Sequence, residues 1–205
     1  MFVFTVDQID SRGSDDDAVA PILRDRAAWR DRGAVLGPDR TAGDEFQLVF
    51  ADAEPALLAA LRLRREGPWS VGIGVGDVRT PFPESTGAAR GDGFLTARTA
   101  VDAAKRAPHH LAVVGPEPAA AAGVTALVGL LLEVRTRRSP EGWEVADLLE
   151  EGLSQAAVAE RLGVTPQAIS LRARAAAVRL ERDAIPALVA ALSALDAPGA
   201  LASPA

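Results

Sequence analysis

Thr41-Ala42-Gly43-Asp44-Glu45-Phe46-Gln47-Leu48-Val49-Phe50 decides the fold class of the front half of the chain. Gly and Asp favour turns, and the run from Phe46 to Phe50 is apolar, β-rich and too short for a helix. The stretch reads as a turn that opens a strand. Working outward, Phe2-Val3-Phe4-Thr5-Val6 is a strand of the same kind, and so are Trp69 to Gly76 and Leu111 to Val114. Helical stretches lie between them. An Ala-rich one runs to Arg32 and is opened by Asp15-Asp16-Asp17, whose charges suit a helix N-terminus. Others cover Pro55 to Arg65 and, after Gly91-Asp92-Gly93, the residues to about Arg106. Strands and helices mixed in this order predict an α+β or α/β layer, and the all-α stretch that follows it favours α+β for the chain.

Gly115 to Gly123, with two Pro and a run of Ala, reads as a linker. Beyond it no strand pattern appears. Val124–Arg135, Trp143–Glu150, Ser154–Leu162, Pro166–Arg182 and Ala187–Leu195 read as helices. The expected organisation is a sheet domain over 1–117 and an all-α domain over 124–196.

Composition narrows the function. Of 205 residues, 48% are hydrophobic and 24% charged, a globular balance that excludes wholesale disorder. There is no Cys, which removes disulfide frameworks, thiolate metal sites and cysteine nucleophiles. The 2 His are adjacent, so three-histidine zinc sites and HExxH proteases are excluded. A net charge of −6 rules out coating DNA by bulk charge. The longest apolar stretch, Val124 to Leu132, is short of the roughly 20 residues a spanning helix needs. With no secretory leader pattern either, a cytoplasmic protein without membrane contact is expected.

Ser154 to Ser170 carries the features of a helix-turn-helix. Ser154 can cap a first helix, and Ala159 is small where two helices must cross. Gly163 permits a tight turn, Val164 plugs the corner, Thr165 caps the second helix and Pro166 fits its first position. Gln167, Ser170 and Arg174 then project outward at i, i+3 and i+7, the face a recognition helix presents to base edges. Between Gly163 and Leu180 stand Arg172, Arg174 and Arg179 and no acid. Double-stranded DNA is the expected partner, met by Ser154, Gln155, Thr165, Gln167, Ser170, Arg172 and Arg174. The stretch resembles helix-turn-helix regulators of the sigma-region or MarR type.

Two acidic positions mark a second candidate site. Asp7 ends the first strand, and Asp44 sits in the turn. If the strand before that turn pairs beside the first strand, both carboxylates lie at one sheet end. There they can share Mg²⁺ and, through it, a polyphosphate. Arg12 and Arg98 can clamp phosphate oxygens bidentately. Gly72-x-Gly74-x-Gly76 has the wrong spacing for a dinucleotide fingerprint and reads as room for close packing. Trp29, Trp69 and Trp143 read as core anchors, and the apolar surround of Ala187 to Leu195 suggests a homodimer partner.

Gly43-Asp44-Glu45-Phe46 resembles the hairpin of GGDEF proteins and class III nucleotide cyclases, which place one metal-binding Asp at the end of the first strand and another in this turn. The whole chain resembles the SatD-like family of small bacterial proteins through Asp7-x-x-x-Ser11-Arg12, Gly43-Asp44-Glu45-Phe46-Gln47, Asp92-Gly93-x-x-x-Ala97-Arg98 and a closing helix-turn-helix. The resemblance implies a ferredoxin-like, palm-type sheet domain. It also implies a purine nucleotide or cyclic dinucleotide ligand with Mg²⁺, held by Asp7, Arg12, Gly43, Asp44, Gln47 and Arg98. Ala42 replaces the first Gly of GGDEF, and Phe94 stands where active cyclases carry an Asn. Binding without turnover is therefore expected, because catalysis needs groups placed for the transition state. The composite expectation is a nucleotide-sensing transcriptional regulator. The alternatives are an active cyclase-like enzyme and an unliganded DNA-binding scaffold.

Overall fold

The computed structural model describes residues 1–11 and 17–197. It is an α+β structure with a five-stranded mixed sheet and, among the described residues, nine α-helices. The strands are β1 (Phe2–Gln8), β2 (Ala34–Ala42), β3 (Glu45–Phe50), β4 (Trp69–Val75) and β5 (Leu111–Val114). The helices are α1 (Val19–Arg24), α2 (Arg26–Asp31), α3 (Ala53–Glu66), α4 (Asp92–Ala104), α5 (Pro118–Thr136), α6 (Pro140–Glu150), α7 (Gln155–Leu162), α8 (Pro166–Ala175) and α9 (Val178–Ala194). The sheet order is β2-β3-β1-β4-β5. All neighbours are antiparallel except β4 and β5.

The chain divides into two compact units, one of residues 1–127 together with Leu188 onward, the other Val128–Ala187. The first unit is built on the sheet. One sheet face carries Phe2, Phe4, Val6, Phe46, Leu48, Phe50, Val71 and Ile73, all buried. Phe4 meets Phe50 edge-on with ring centroids 5.1 Å apart, and Phe46 meets Trp69 at 5.3 Å. α3 packs against β3 and β4 and buries Ala56, Leu57, Ala60, Leu61 and Leu63.

The other face receives α4. The alternating glycines of β4 explain how closely it sits. A Cβ on Gly72 would stand 2.1 Å from the Val101 nitrogen, and one on Gly74 would stand 2.1 Å from the Ala97 nitrogen. Only residues without a Cβ let the α4 backbone rest directly on the strand, in line with the packing role read from the sequence. β2 includes Gly37-Pro38 and pairs irregularly with β3. Pro is tolerated there because β2 is an edge strand.

The helical unit is built from the two caps foreseen in the sequence. Ser154 Oγ accepts from the Ala157 amide at 3.2 Å, and Thr165 Oγ1 accepts from the Ala168 amide at 3.2 Å. Gly163, at φ 65°, takes the left-handed conformation that ends α7. Val145, Leu148, Val158, Ala159, Ile169 and Ala173 form the core of this unit, with Leu162 and Val164 packed against it.

Several element boundaries depart from the sequence reading. The expected linker over Gly115–Gly123 is mostly helix, because α5 begins at Pro118 and Ala is the best helix former. α5 is thereby long and apolar enough to cross a membrane by length and composition, a test that core helices of water-soluble proteins also pass. The expected helix to Arg32 breaks at Asp25. Of its opening acids, Asp17 accepts from the Ala20 amide at 3.1 Å, while Asp15 and Asp16 lie outside the described residues. The break between the last two helices falls at Ala176-Ala177, where Ala177 has φ 52°, and not near Pro186, which lies inside α9. Leu188, Leu192 and Leu195 are buried by the chain itself. They offer no open face to a second copy, which removes the observation that suggested a partner there.

Candidate functional site

The two-residue turn Gly43-Asp44 joins β2 to β3, with Ala42 and Glu45 paired across it. It is β3, the strand after the turn, that lies beside β1. Asp7 stands opposite Glu45 in that pairing, and the Gln8 amide donates to the Asp44 carbonyl at 3.1 Å. Asp7 and Asp44 therefore share one sheet end, as expected, though through a different strand.

Side-chain alternation puts Thr5, Asp7, Glu45, Gln47 and Ser70 on the α4 face, since Thr5 pairs with Gly72 and Asp7 with Ser70. α4 meets this polar row with two cations seven residues apart. Lys105 Nζ lies 2.8 Å from Asp7 Oδ2, and the Arg98 guanidinium donates to Glu45. The Glu45 side chain is 8% exposed and also accepts from Thr41 Oγ1 at 2.6 Å. Gln47 Nε2 donates to Thr5 Oγ1 at 3.2 Å, and Thr5 is fully buried. Asp44 accepts from Ser11 Oγ.

Arg40 holds the turn from outside by donating to the Gly43 carbonyl. The same guanidinium binds both carboxylate oxygens of Asp17, at 2.6 and 2.7 Å. This contact holds the Asp17 carboxyl below its usual range. A Cβ on Gly43 would touch nothing within 4 Å. Arg12 lies outside the described residues. Behind the sheet end, Ser70 Oγ lies 3.4 Å from His110 Nδ1. Partial burial, helped by the Arg64 charge, pushes the His110 pKa down. His110 is half-buried, not solvent-facing.

Glu45 and Lys105 were missed by sequence reasoning. Strand alternation was the signal for Glu45, because it falls on the same face as Gln47. Lys105 is the sole lysine in the chain, but nothing local ties it to Asp7, 98 residues away. Among the described residues, no group of three or more His, Asp or Glu side chains is arranged to hold an ion. Asp7 and Glu45 are instead neutralised by the chain's own cations.

In the helical unit, Ile169 and Ala173 of α8 are buried, while Gln167, Ser170, Leu171 and Arg174 are exposed on the other side. Ser154, Gln155 and Thr165 are exposed too, and Arg172 is half-buried. The C-terminal end of α8 is fixed by a charged cluster. Arg138 Nε donates to the Ala176 carbonyl at 2.6 Å, and both Arg135 and Arg138 donate to Glu181. Both guanidinium groups lie over the Trp143 ring, at 4.8 and 4.7 Å. Trp143 thus serves as a platform for two cations, whereas Trp29 and Trp69 are buried in the core.

No family model, no curated protein and no solved structure matches this chain.

Proposed function

We propose that the protein is a transcriptional regulator that binds double-stranded DNA through α7 and α8 as a helix-turn-helix. The observation that carries this reading is the outward face of α8. It is capped, anchored at its far end by Arg138, and presents Gln167, Ser170 and Arg174 with no acid between Glu160 and Glu181. Gln can bond the adenine edge, and Arg can bond guanine or a phosphate. Gel-shift titration on duplex DNA tests it. Arg174→Ala should weaken binding, while Arg62→Ala, in an exposed ion pair on α3, should not. Equal affinity of Arg174→Ala and the parent protein would remove α8 as the reader.

The sheet unit is the sensor in this proposal. The order β2-β3-β1-β4 supports a ferredoxin-like, palm-type assignment, and the resemblance to the SatD-like family points the same way. The donor set at the sheet end suits a magnesium–nucleotide pair better than either component alone. A bare ion on the carboxylates would leave Lys105 and Arg98 without partners, and a bare polyphosphate on those cations would strand Asp7 and Glu45. Together the two give Asp7, Lys105 and Arg98 new partners, while Glu45 keeps Thr41 Oγ1 as its donor. Asp7 and Asp44 would hold the ion, and Arg98 and Lys105 the phosphate oxygens. The ion would supply charge neutralisation.

Calorimetry with ATP, GTP and cyclic dinucleotides, with and without Mg²⁺, tests the sensor. Binding should require both components and should vanish in Asp44→Ala without loss of fold. Absence of binding by all of them would remove the sensor. Phosphate or pyrophosphate release abolished by Asp44→Ala would replace sensing by catalysis.

A further inference from the structure

Leu171 is the residue of α8 that the hydrogen-bonding reading leaves unexplained. It is 67% exposed, although Leu is a residue that burial would stabilise by about 1.5–3 kcal/mol. It does not stand apart from the polar readers. Gln167, Leu171 and Arg174 fall at i, i+4 and i+7 on the exposed side of the helix, opposite buried Ile169 and Ala173. Between Glu160 and Glu181 the chain carries Arg172, Arg174 and Arg179 and no acid, and Arg174, on the same side as Leu171, is exposed. That composition suits a polyanion better than an apolar protein surface.

The major groove offers one apolar group to such a side chain, the 5-methyl of thymine. We infer that Leu171 reads a thymine 5-methyl group, and that this contact is a determinant of sequence specificity. The inference rests on the DNA-binding reading of α8. On a helix lying in the major groove, residues three to four apart meet successive bases. Leu171 therefore contacts a base pair next to the one Gln167 meets. The expected half-site holds a thymine beside an adenine or its complement.

The full-length protein is used to select duplexes from a random pool, and the enriched half-site is rebuilt with deoxyuridine in place of each thymine in turn. Deoxyuridine pairs identically and lacks only the methyl. At one position the replacement should weaken binding about fourfold, the worth of one buried carbon. Leu171→Ala should bind thymine and deoxyuridine at that position equally, whereas Gln167→Ala should keep the preference. Leu171 is exposed, so the variant should melt like the parent.

If duplexes are enriched but no position responds to deoxyuridine, or Leu171→Ala keeps the preference, the Leu171 inference is overturned and DNA binding stands. If Leu171→Ala instead lowers the sedimentation coefficient, Leu171 covers a second copy of the chain and the inference is likewise overturned. Failure to enrich any sequence overturns both the inference and the DNA-binding reading.

Discussion

Gly74→Ala is expected to destabilise the sheet unit, and Gly123→Ala to do the opposite. The new Cβ at Gly74 would lie 2.1 Å from the Ala97 nitrogen, 2.6 Å from its Cα and 2.6 Å from the Gly93 carbonyl oxygen. All three are backbone atoms of α4, so no side chain can swing aside. The helix must lift from the sheet by more than an ångström. Such overpacking costs about 1–3 kcal/mol, and the rigid neighbours put this site at the upper end. Lifting α4 also carries Arg98 and Lys105 away from Glu45 and Asp7. A Cβ at Gly123, inside α5, meets nothing within 4 Å, and Ala there gains up to about 1 kcal/mol of helix propensity. The same added methyl thus acts with opposite sign at two positions. Thermal melting followed by circular dichroism reads both. For a chain of this length, a loss of about 3 kcal/mol lowers Tm by roughly 6–12 °C. A Gly74→Ala protein melting within a degree of the parent would refute the close contact between α4 and β4.

Three further outcomes follow from the contacts described. Glu181→Gln should destabilise the helical unit by about 3 kcal/mol in urea melts, because it leaves Arg135 and the buried Arg138 without their shared carboxylate. Because the folded His110 pKa lies below the ordinary 6.5, the unfolded chain binds more protons as the pH falls through that range. Stability should therefore drop below about pH 6.5 and level off above it, and His110→Gln should flatten that slope in melts from pH 5 to 8. If the protein self-associates, Leu127→Glu with Leu130→Glu should dissociate it in sedimentation, since these two α5 side chains are 49% and 66% exposed; an intact dimer would exclude that face.

What the sequence disclosed depended on how local the controlling physics is. The turn at Gly163, the caps Ser154 and Thr165 and the hairpin turn before Phe46 are set by neighbouring residues, and each appears where it was read. The glycines of β4 were legible as a packing device because small residues at every second strand position have few other uses. The break at Ala176-Ala177 was hidden, because two alanines favour a helix and the carbonyl that ends α8 is held by Arg138, 38 residues away. The burial of Leu188 and Leu192 was hidden for the same kind of reason. A helix apolar on every side does not reveal whether its own chain or another covers it. The pairs Asp7–Lys105 and Glu45–Arg98 span 98 and 53 residues, and only the docking of α4 brings them together.

The division of the chain has a consequence for its synthesis. Val128–Ala187 is an insertion, and the sheet unit regains its last segment only from Leu188 onward. A nascent chain that has released residues 1–127 holds every strand but lacks Leu188, Leu192 and Leu195. The apolar surface they later cover stays open while about 60 further residues are made, several seconds at about 5–20 residues per second. The inserted helices rest on local contacts and can close during that delay. The order of completion is therefore inverted relative to the order of translation: the unit that begins first finishes last.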